Sequence, residues 1–243
     1  MKKLIFNNYR AEDLGFIVVE GAPEILAQEN YEVVDIEGRN GCLIKNKGTY
    51  PDIQKTFTIT AIDYIDDDNI EDMMNSIKKW FFDIKDNRLF YAFSNKYNIV
   101  KKVIFEEDVR TSFEEFGDFQ VTFLCEPFYY EVQEPVIYLG STTEDTSYEI
   151  INNGDFESSP RITIYGTGNI GFNLNNELIA VKNVSEFVQI DTKLLTCTDS
   201  KGNNKRGDLL SDFPMIQRGT NTITIPSNQG VTKIVINPRI IYR

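Results

Sequence analysis

The chain has no histidine. Without an imidazole, a protein has no side chain whose ordinary pKa lies between about 5 and 8, and it loses the commonest metal ligand. Ser–His and Cys–His nucleophilic pairs are excluded with it. Cysteine is sparse as well. Cys42, Cys125 and Cys197 form an odd, widely spaced set. They suggest neither a disulfide framework nor a zinc site, and each is expected to be a small buried hydrophobe. Long apolar runs are missing. The start, Met1-Lys2-Lys3-Leu4-Ile5-Phe6-Asn7, has an apolar run far shorter than the roughly 7–15 residues of a signal core. No stretch approaches the roughly 18 apolar residues of a membrane span. Synthesis and retention in the cytoplasm are therefore expected.

Basic charge is also scarce. Residues 1–140 hold 15 Lys and Arg against 26 Asp and Glu, a net of −11, whereas residues 141–243 hold 10 against 11, a net of −1. An acidic front half lacks the basic footprint that nucleic-acid phosphates or an anionic membrane would need.

Aromatics are abundant, with 17 Phe and 12 Tyr in 243 residues. Together with Ile, Val and Thr they bias the chain toward strands. One segment departs from this. Ile70, Met73, Met74, Ile77, Trp80, Phe81 and Ile84 recur at the spacing of one helical face. Asp68 is placed as its N-cap and Glu71 as the partner in a capping box. Phe82 falls on the polar side, with Asn75 and Lys78. Two explanations compete: the helix ends by Trp80 or Phe81 and Phe82 turns into the core, or the helix continues and another molecule covers it. The exit-like Lys85-Asp86-Asn87 run favours the first.

Alternation predicts strands around Phe57–Ala61 and Phe119–Cys125. Gly38-Arg39-Asn40-Gly41 predicts a hairpin turn, and residues 47–52 a loop. Beyond a boundary near residues 134–147, where the polar run Gly140 to Ser147 reads as a linker or long loop, short strands are predicted at 161–165, 170–174, 178–181, 187–190, 222–225 and 231–236, separated by Gly/Asn-rich turns. Asn175-Asn176 fits a two-residue hairpin turn. The expected fold is mainly β: an N-terminal β domain with one amphipathic helix, residues 1–134, followed by a C-terminal β-sandwich, residues 145–243.

A search for chemistry yields little. Gly166-Thr167-Gly168 leads into a strand and not a helix, so it reads as a β-turn and not a phosphate loop. Asp66-Asp67-Asp68-Asn69 lacks the glycine and final glutamate of a calcium loop and reads as a solvated helix start. Glu106-Glu107-Asp108 and Glu114-Glu115 could be cast as glycosidase carboxylates, but in so acidic a chain they read as surface. Cys42 has no neighbouring base. Trp80 is assigned to the core. Phe128-Tyr129-Tyr130 either closes the core or forms a contact patch. Tyr165, Phe172 and Phe187 fit a core or a sugar platform equally. No catalytic, cofactor-binding or metal-binding residue is assigned.

The order of these elements is familiar. Gly38-Arg39-Asn40-Gly41, Gly48-Thr49-Tyr50-Pro51, the Phe57 strand, the helix ending Ile77-Lys78-Lys79-Trp80-Phe81, Leu89-Phe90-Tyr91 and the run Phe119 to Tyr129 together resemble the N-terminal domain of siphophage distal tail (Dit) proteins. Pro160 to Gly166, Ile190-Asp191, Phe213 to Asn221 and Ile234 to Arg239 resemble that family's C-terminal galectin-like sandwich. The resemblance covers nearly the whole chain. One departure is Ser94-Asn95-Lys96, standing where an Asp-Pro is expected, which leaves that loop open.

The resemblance implies a virion protein of the phage tail tip, made in the host cytoplasm. Six copies form a ring whose channel passes DNA without specific binding. The ring joins the tail tube protein to a tail-associated baseplate or fibre protein, and in some phages it carries receptor-binding proteins. Arg39, Asn40, Gly41, Tyr50 and Pro51 are the expected inter-subunit contacts, because a polar, Gly-rich hairpin has little core of its own. The alternative is a carbohydrate-binding or adhesion module recognising a host surface polysaccharide. The usual galectin sugar site needs histidine, which is absent.

Overall fold

The computed structural model describes residues 3–62, 70–91 and 93–243. The chain divides into two compact units, one ending at Tyr130 and including Arg243, the other running Glu131–Tyr242. The expected cap at Asp68 and the acidic run at residues 66–69 lie outside the described residues.

The first unit runs β1 (Ile5–Phe6), β2 (Tyr9–Arg10), a 3-10 turn, β3 (Phe16–Glu20), β4 (Tyr31–Asp35), β5 (Cys42–Asn46), β6 (Ile53–Ala61), α1 (Ile70–Phe81), β7 (Arg88–Phe90), β8 (Lys96–Ile104), α2 (Val109–Phe116), β9 (Asp118–Cys125) and β10 (Tyr129–Glu131). Its main sheet follows the order β2-β1-β7-β8-β9-β6-β3. The first half of β8 pairs with β7 and the second half with β9, with a register shift between Val100 and Lys102. A bulge of this kind bends a strand and increases its twist, and here it curls the sheet. The inward residues Phe57 and Ile59 of β6, and Phe119, Val121, Phe123 and Cys125 of β9, form one core with Ile70, Met73, Ile77, Trp80 and Phe81 of α1. The helix face is therefore as predicted up to Phe81. Ile84 lies beyond the helix end and is exposed.

That end is held from far away in sequence. Asn7 and Asn8 have positive φ, 52° and 64°, and form the tight turn of the β1–β2 hairpin. The buried Asn7 amide donates to the carbonyls of Lys79, Trp80 and Asp83 at 3.2, 3.2 and 2.8 Å. Its oxygen accepts from the Lys85 and Asp86 N–H groups at 2.7 and 3.2 Å. Orphan carbonyls at a helix C-terminus need such partners. The Trp80 indole N–H donates to the Phe6 carbonyl at 3.1 Å, so helix and hairpin are tied at two points.

One helix was expected in this unit, and two are present among the described residues. In α2, Asp108 caps the N-terminus by accepting from the Thr111 N–H at 2.9 Å, and Gly117, with φ 78°, closes the C-terminus. Val109 and Phe113 are its buried contacts. Eight residues give barely two turns, too few for helical periodicity to stand out.

The second unit is a sandwich. β11 (Val136–Leu139), β12 (Thr146–Asn152), β13 (Arg161–Gly166), β14 (Gly168–Leu174), β15 (Glu177–Val184), β16 (Phe187–Asp191), β17 (Thr196–Asp199), β18 (Gly219–Ile225) and β19 (Val231–Asn237) form sheets of order β11-β19-β13-β16-β17 and β12-β18-β14-β15. The boundary region at residues 134–147 contains a paired strand, β11, and its polar run leads directly into β12. Asn175 and Asn176 take the left-handed conformation of the predicted hairpin turn. The inner faces share one core that includes Ile164, Phe172, Val181, Ile190, Ile223 and Ile234.

Asp191 ties this unit together. Its carboxylate accepts from Arg239 at 2.7 and 2.8 Å, from Arg161 at 2.9 Å and from the Leu194 N–H at 3.1 Å. Burial would raise its pKa, but the arginine hydrogen bonds outweigh burial and hold it far below the usual carboxylate range.

Two outcomes are expected. Asn7→Ala should lower the stability of the first unit by about 2–3 kcal/mol, since it strands buried backbone groups, read by denaturant titration of Trp80 fluorescence. Asn7→Asp should do at least as much harm, because a carboxylate is repelled by helix-end carbonyls. For Asp191, a lowered folded pKa contributes stability that is full above the unfolded value near 3.9 and is lost progressively as pH falls below it. Asp191→Asn should therefore flatten the acid limb of the second unit's stability profile, followed by circular dichroism.

Candidate functional site

In two places in the first unit, exposed apolar side chains lie close together. One is the β4–β5 hairpin, a separate two-stranded sheet. Its register pairs Tyr31 with Asn46, Glu32 with Lys45, Val33 with Ile44, Val34 with Leu43 and Asp35 with Cys42. Cross-strand partners share a face and neighbours alternate. One face therefore carries Tyr31, Val33, Ile44 and Cys42, ending in Asp35 and Asn46. The other carries Val34 and Leu43 beside Glu32 and Lys45. Tyr31, Val33 and Ile44 are 60, 54 and 60 % exposed. Leaving such side chains in water forgoes roughly 1.5–3 kcal/mol apiece, and an isolated two-stranded hairpin is marginal in water.

The hairpin is nevertheless well defined at both ends. At its base, the Asn30 N–H donates to the Thr49 carbonyl at 2.7 Å, the Lys47 N–H to the Asn30 carbonyl at 2.8 Å and the Gly48 N–H to Glu29 at 2.8 Å. At its tip, Gly38 and Gly41 take φ of 79° and 84°, a conformation costly for residues with a side chain. The predicted contact residues fall in two separate places. Arg39, Asn40 and Gly41 form the tip. Tyr50 and Pro51 lie past the base, where Tyr50 packs edge-on against Phe128 at 5.0 Å and accepts a hydrogen bond from Arg243 at 2.7 Å. Tyr50 is thus engaged within its own unit, whereas the tip is wholly exposed.

The second place is a groove of about 430 Å³ lined by Met74, Ile77, Lys78, Phe82, Phe105, Glu107, Asp108 and Val109. The helix ends at Phe81, as preferred from sequence, yet Phe82 does not turn inward: it is 67 % exposed. The physical reason is the Asn7 cap, which holds the Asp83 carbonyl and the Lys85 and Asp86 N–H groups and directs Phe82 to the rim. There it stacks on Phe105, with ring centroids 5.5 Å apart and an interplanar angle of 11°. The groove floor is apolar. Lys78 marks its helix side, and Glu107 and Asp108 the opposite side.

The acidic runs do not build a reactive cleft. Glu106 and Glu107 line a polar depression of about 130 Å³ with Thr56, Ser112, Gln120 and Thr122, well below the roughly 300–1,000 Å³ of a small-molecule site. Glu107 accepts from the Ser112 hydroxyl at 3.2 Å, Asp108 caps α2, and Glu114 pairs with Arg110 at 2.8 Å. Among the described residues, no group of three or more His, Cys, Asp or Glu side chains could hold a metal ion. None of their helices is long and apolar enough to cross a membrane.

Cys125 and Cys197 are buried as expected, and burial pushes their thiols up to about 12 and about 11. Cys42 is not the buried hydrophobe expected of it; it lies exposed on the hairpin. Tyr129 and Tyr130 are buried and Phe128 is half-buried, so that cluster is not a freely exposed patch. Lys55 was missed altogether. It sits at an inward position of β6, with its ammonium 2.7 Å from the Tyr129 hydroxyl. In the sandwich, Phe172 is core, while Tyr165 and Phe187 form a half-buried cross-strand pair. The Lys233 ammonium lies 4.1 Å over the Tyr165 ring.

Together these features define a two-unit, mainly β protein. No protein-family model matches the sequence, and no curated protein does. In fold, the chain is similar to the crystal structure of SPP1 Dit (gp 19.1), described as a paradigm of the hub adsorption apparatus in Gram-positive-infecting phages. The likeness covers 98 % of each chain with a TM-score of 0.67, at 13 % sequence identity.

Phe82→Ser is expected to change the stability of the first unit by less than about 1 kcal/mol, as for a surface site. Phe81→Ser one position earlier should cost more than about 3 kcal/mol. Thermal melts of the two variants check this, and equal losses would mean that Phe82 is core.

Proposed function

We propose that this chain is a structural subunit of a bacteriophage tail tip, a distal tail hub protein and not an enzyme. Six copies close a ring through their first units and leave a channel for DNA. The ring joins the tail tube protein to a tail-associated baseplate or fibre protein. The second unit serves as the galectin-like sandwich of the family and as a platform where receptor-binding proteins are carried.

The observation that carries this reading is the end-to-end likeness to a phage hub protein, which takes in both units. The hairpin supports it. A closed ring needs a heterologous interface, in which each copy offers one patch and receives another, and an arm with three large apolar side chains exposed on one face is such a patch. The acidic front half suits a channel wall, because negative charge does not retain passing phosphate.

The purified chain is expected to form six-membered rings, seen as six times the 28.0 kDa chain mass by light scattering and as rings in negative stain. Replacing Arg39–Gly41 by a shorter turn should abolish the rings and leave both units folded. A chain that stays monomeric at every concentration, or rings that survive the shortened turn, would overturn the assignment or the role of the arm respectively.

A further inference from the structure

The arm and the groove are complementary in polarity and charge. The arm carries Tyr31, Val33 and Ile44 on one face; the groove is lined by Met74, Ile77, Phe105 and Val109. The arm face ends in a carboxylate, Asp35, at one side and in two hydrogen-bond donors, the Tyr31 hydroxyl and Asn46 amide, at the other. The groove offers the matching pattern: the Lys78 ammonium on its helix side and the Glu107 and Asp108 carboxylates opposite. In charge and polarity, each surface supplies what the other lacks.

We infer that the β4–β5 arm of one copy seats in the α1–α2 groove of the next, with Val33 and Ile44 on its apolar floor, Asp35 on Lys78, and Tyr31 and Asn46 toward Glu107 and Asp108. The inference rests on the proposed ring and names the receiving surface within it. It covers the apolar face of the arm and the apolar groove with a single contact, and it gives Phe82 an intermolecular role: its ring flanks the seated strand pair. Repeated from copy to copy, one such heterologous contact closes a ring or continues as a filament.

Cys42 is a built-in probe, because it is the cross-strand neighbour of Asp35 and is exposed, while Cys125 and Cys197 are buried. Full-length Lys78→Cys protein treated with a short bis-maleimide is expected to give a covalent ladder up to six chains on a denaturing gel. The wild-type chain and the Lys78→Cys, Cys42→Ser double variant should give none. In parallel, Asp35→Lys and Lys78→Asp should each raise the concentration for half-assembly by about tenfold or more, and the two combined should restore it. Both positions are exposed, and unchanged Trp80 emission confirms folding.

Rings that form without a ladder and ignore the charge swaps would overturn this seat and leave the ring intact. A ladder that stops at two chains would keep the seat, as a reciprocal exchange between two copies, and remove the ring. A chain monomeric throughout would remove both.

Discussion

The buried side chain of Asn7 is the constraint on which the first unit depends. A helix C-terminus leaves carbonyls without partners, and burying it without a cap is costly. Here one amide, placed by a two-residue turn in the left-handed conformation, satisfies carbonyls on three residues and N–H groups on two more. The cap fixes where α1 stops. It thereby locks Trp80 and Phe81 into the core, stacked 4.3 Å apart, and turns Phe82 outward. The groove, with its Phe82–Phe105 rim, exists because that exit path is specified.

The same unit combines a saturated interior with an unsaturated arm. Its core is filled by aromatic contacts: Phe6 with Phe123 at 5.0 Å, Phe57 with Phe123 at 5.7 Å, Phe16 with Trp80 at 5.8 Å. The hairpin's own apolar residues are not part of that core. A chain that concentrates burial in its core and leaves large apolar side chains of one small arm in water has favourable free energy to gain by association.

Much of this was legible in the sequence wherever burial follows a simple period. The face of α1 through Phe81, the inward set Phe119, Val121, Phe123 and Cys125, the Gly38–Gly41 tip and the Asn175–Asn176 turn all obey local rules. Elsewhere those rules fail for identifiable reasons. α2 is too short for its period to emerge among acidic neighbours, although Asp108 and Gly117 were available as caps. The bulge in β8 breaks alternation at Val100. The fate of Phe82 is set by Asn7, far away in sequence, and no local pattern encodes that. Lys55 occupies an inward position of an alternating strand because Tyr129 awaits its ammonium, a pairing that only the fold brings together. Of the arm, the turn was legible from its glycines, while its apolar face and the groove, built from residues 74–109 on different elements, were not.

The arm also has a fixed length. Five paired residues on each strand, from Tyr31–Asn46 to Asp35–Cys42, span roughly 17 Å at about 3.4 Å per residue, and the hydrogen-bonded base and glycine tip keep either end from sliding. In a ring joined by such arms, the arm is a ruler. Its reach sets the distance and angle between neighbouring copies, and with them the number of copies that close the circle and the bore that remains. Removing one residue from each strand would shift the tip by roughly 3 Å and, because side chains alternate, would present the opposite face to the neighbour. Insertions and deletions in pairs per strand would then be the only ones that preserve the contact face, so the bore would change in discrete steps and not continuously.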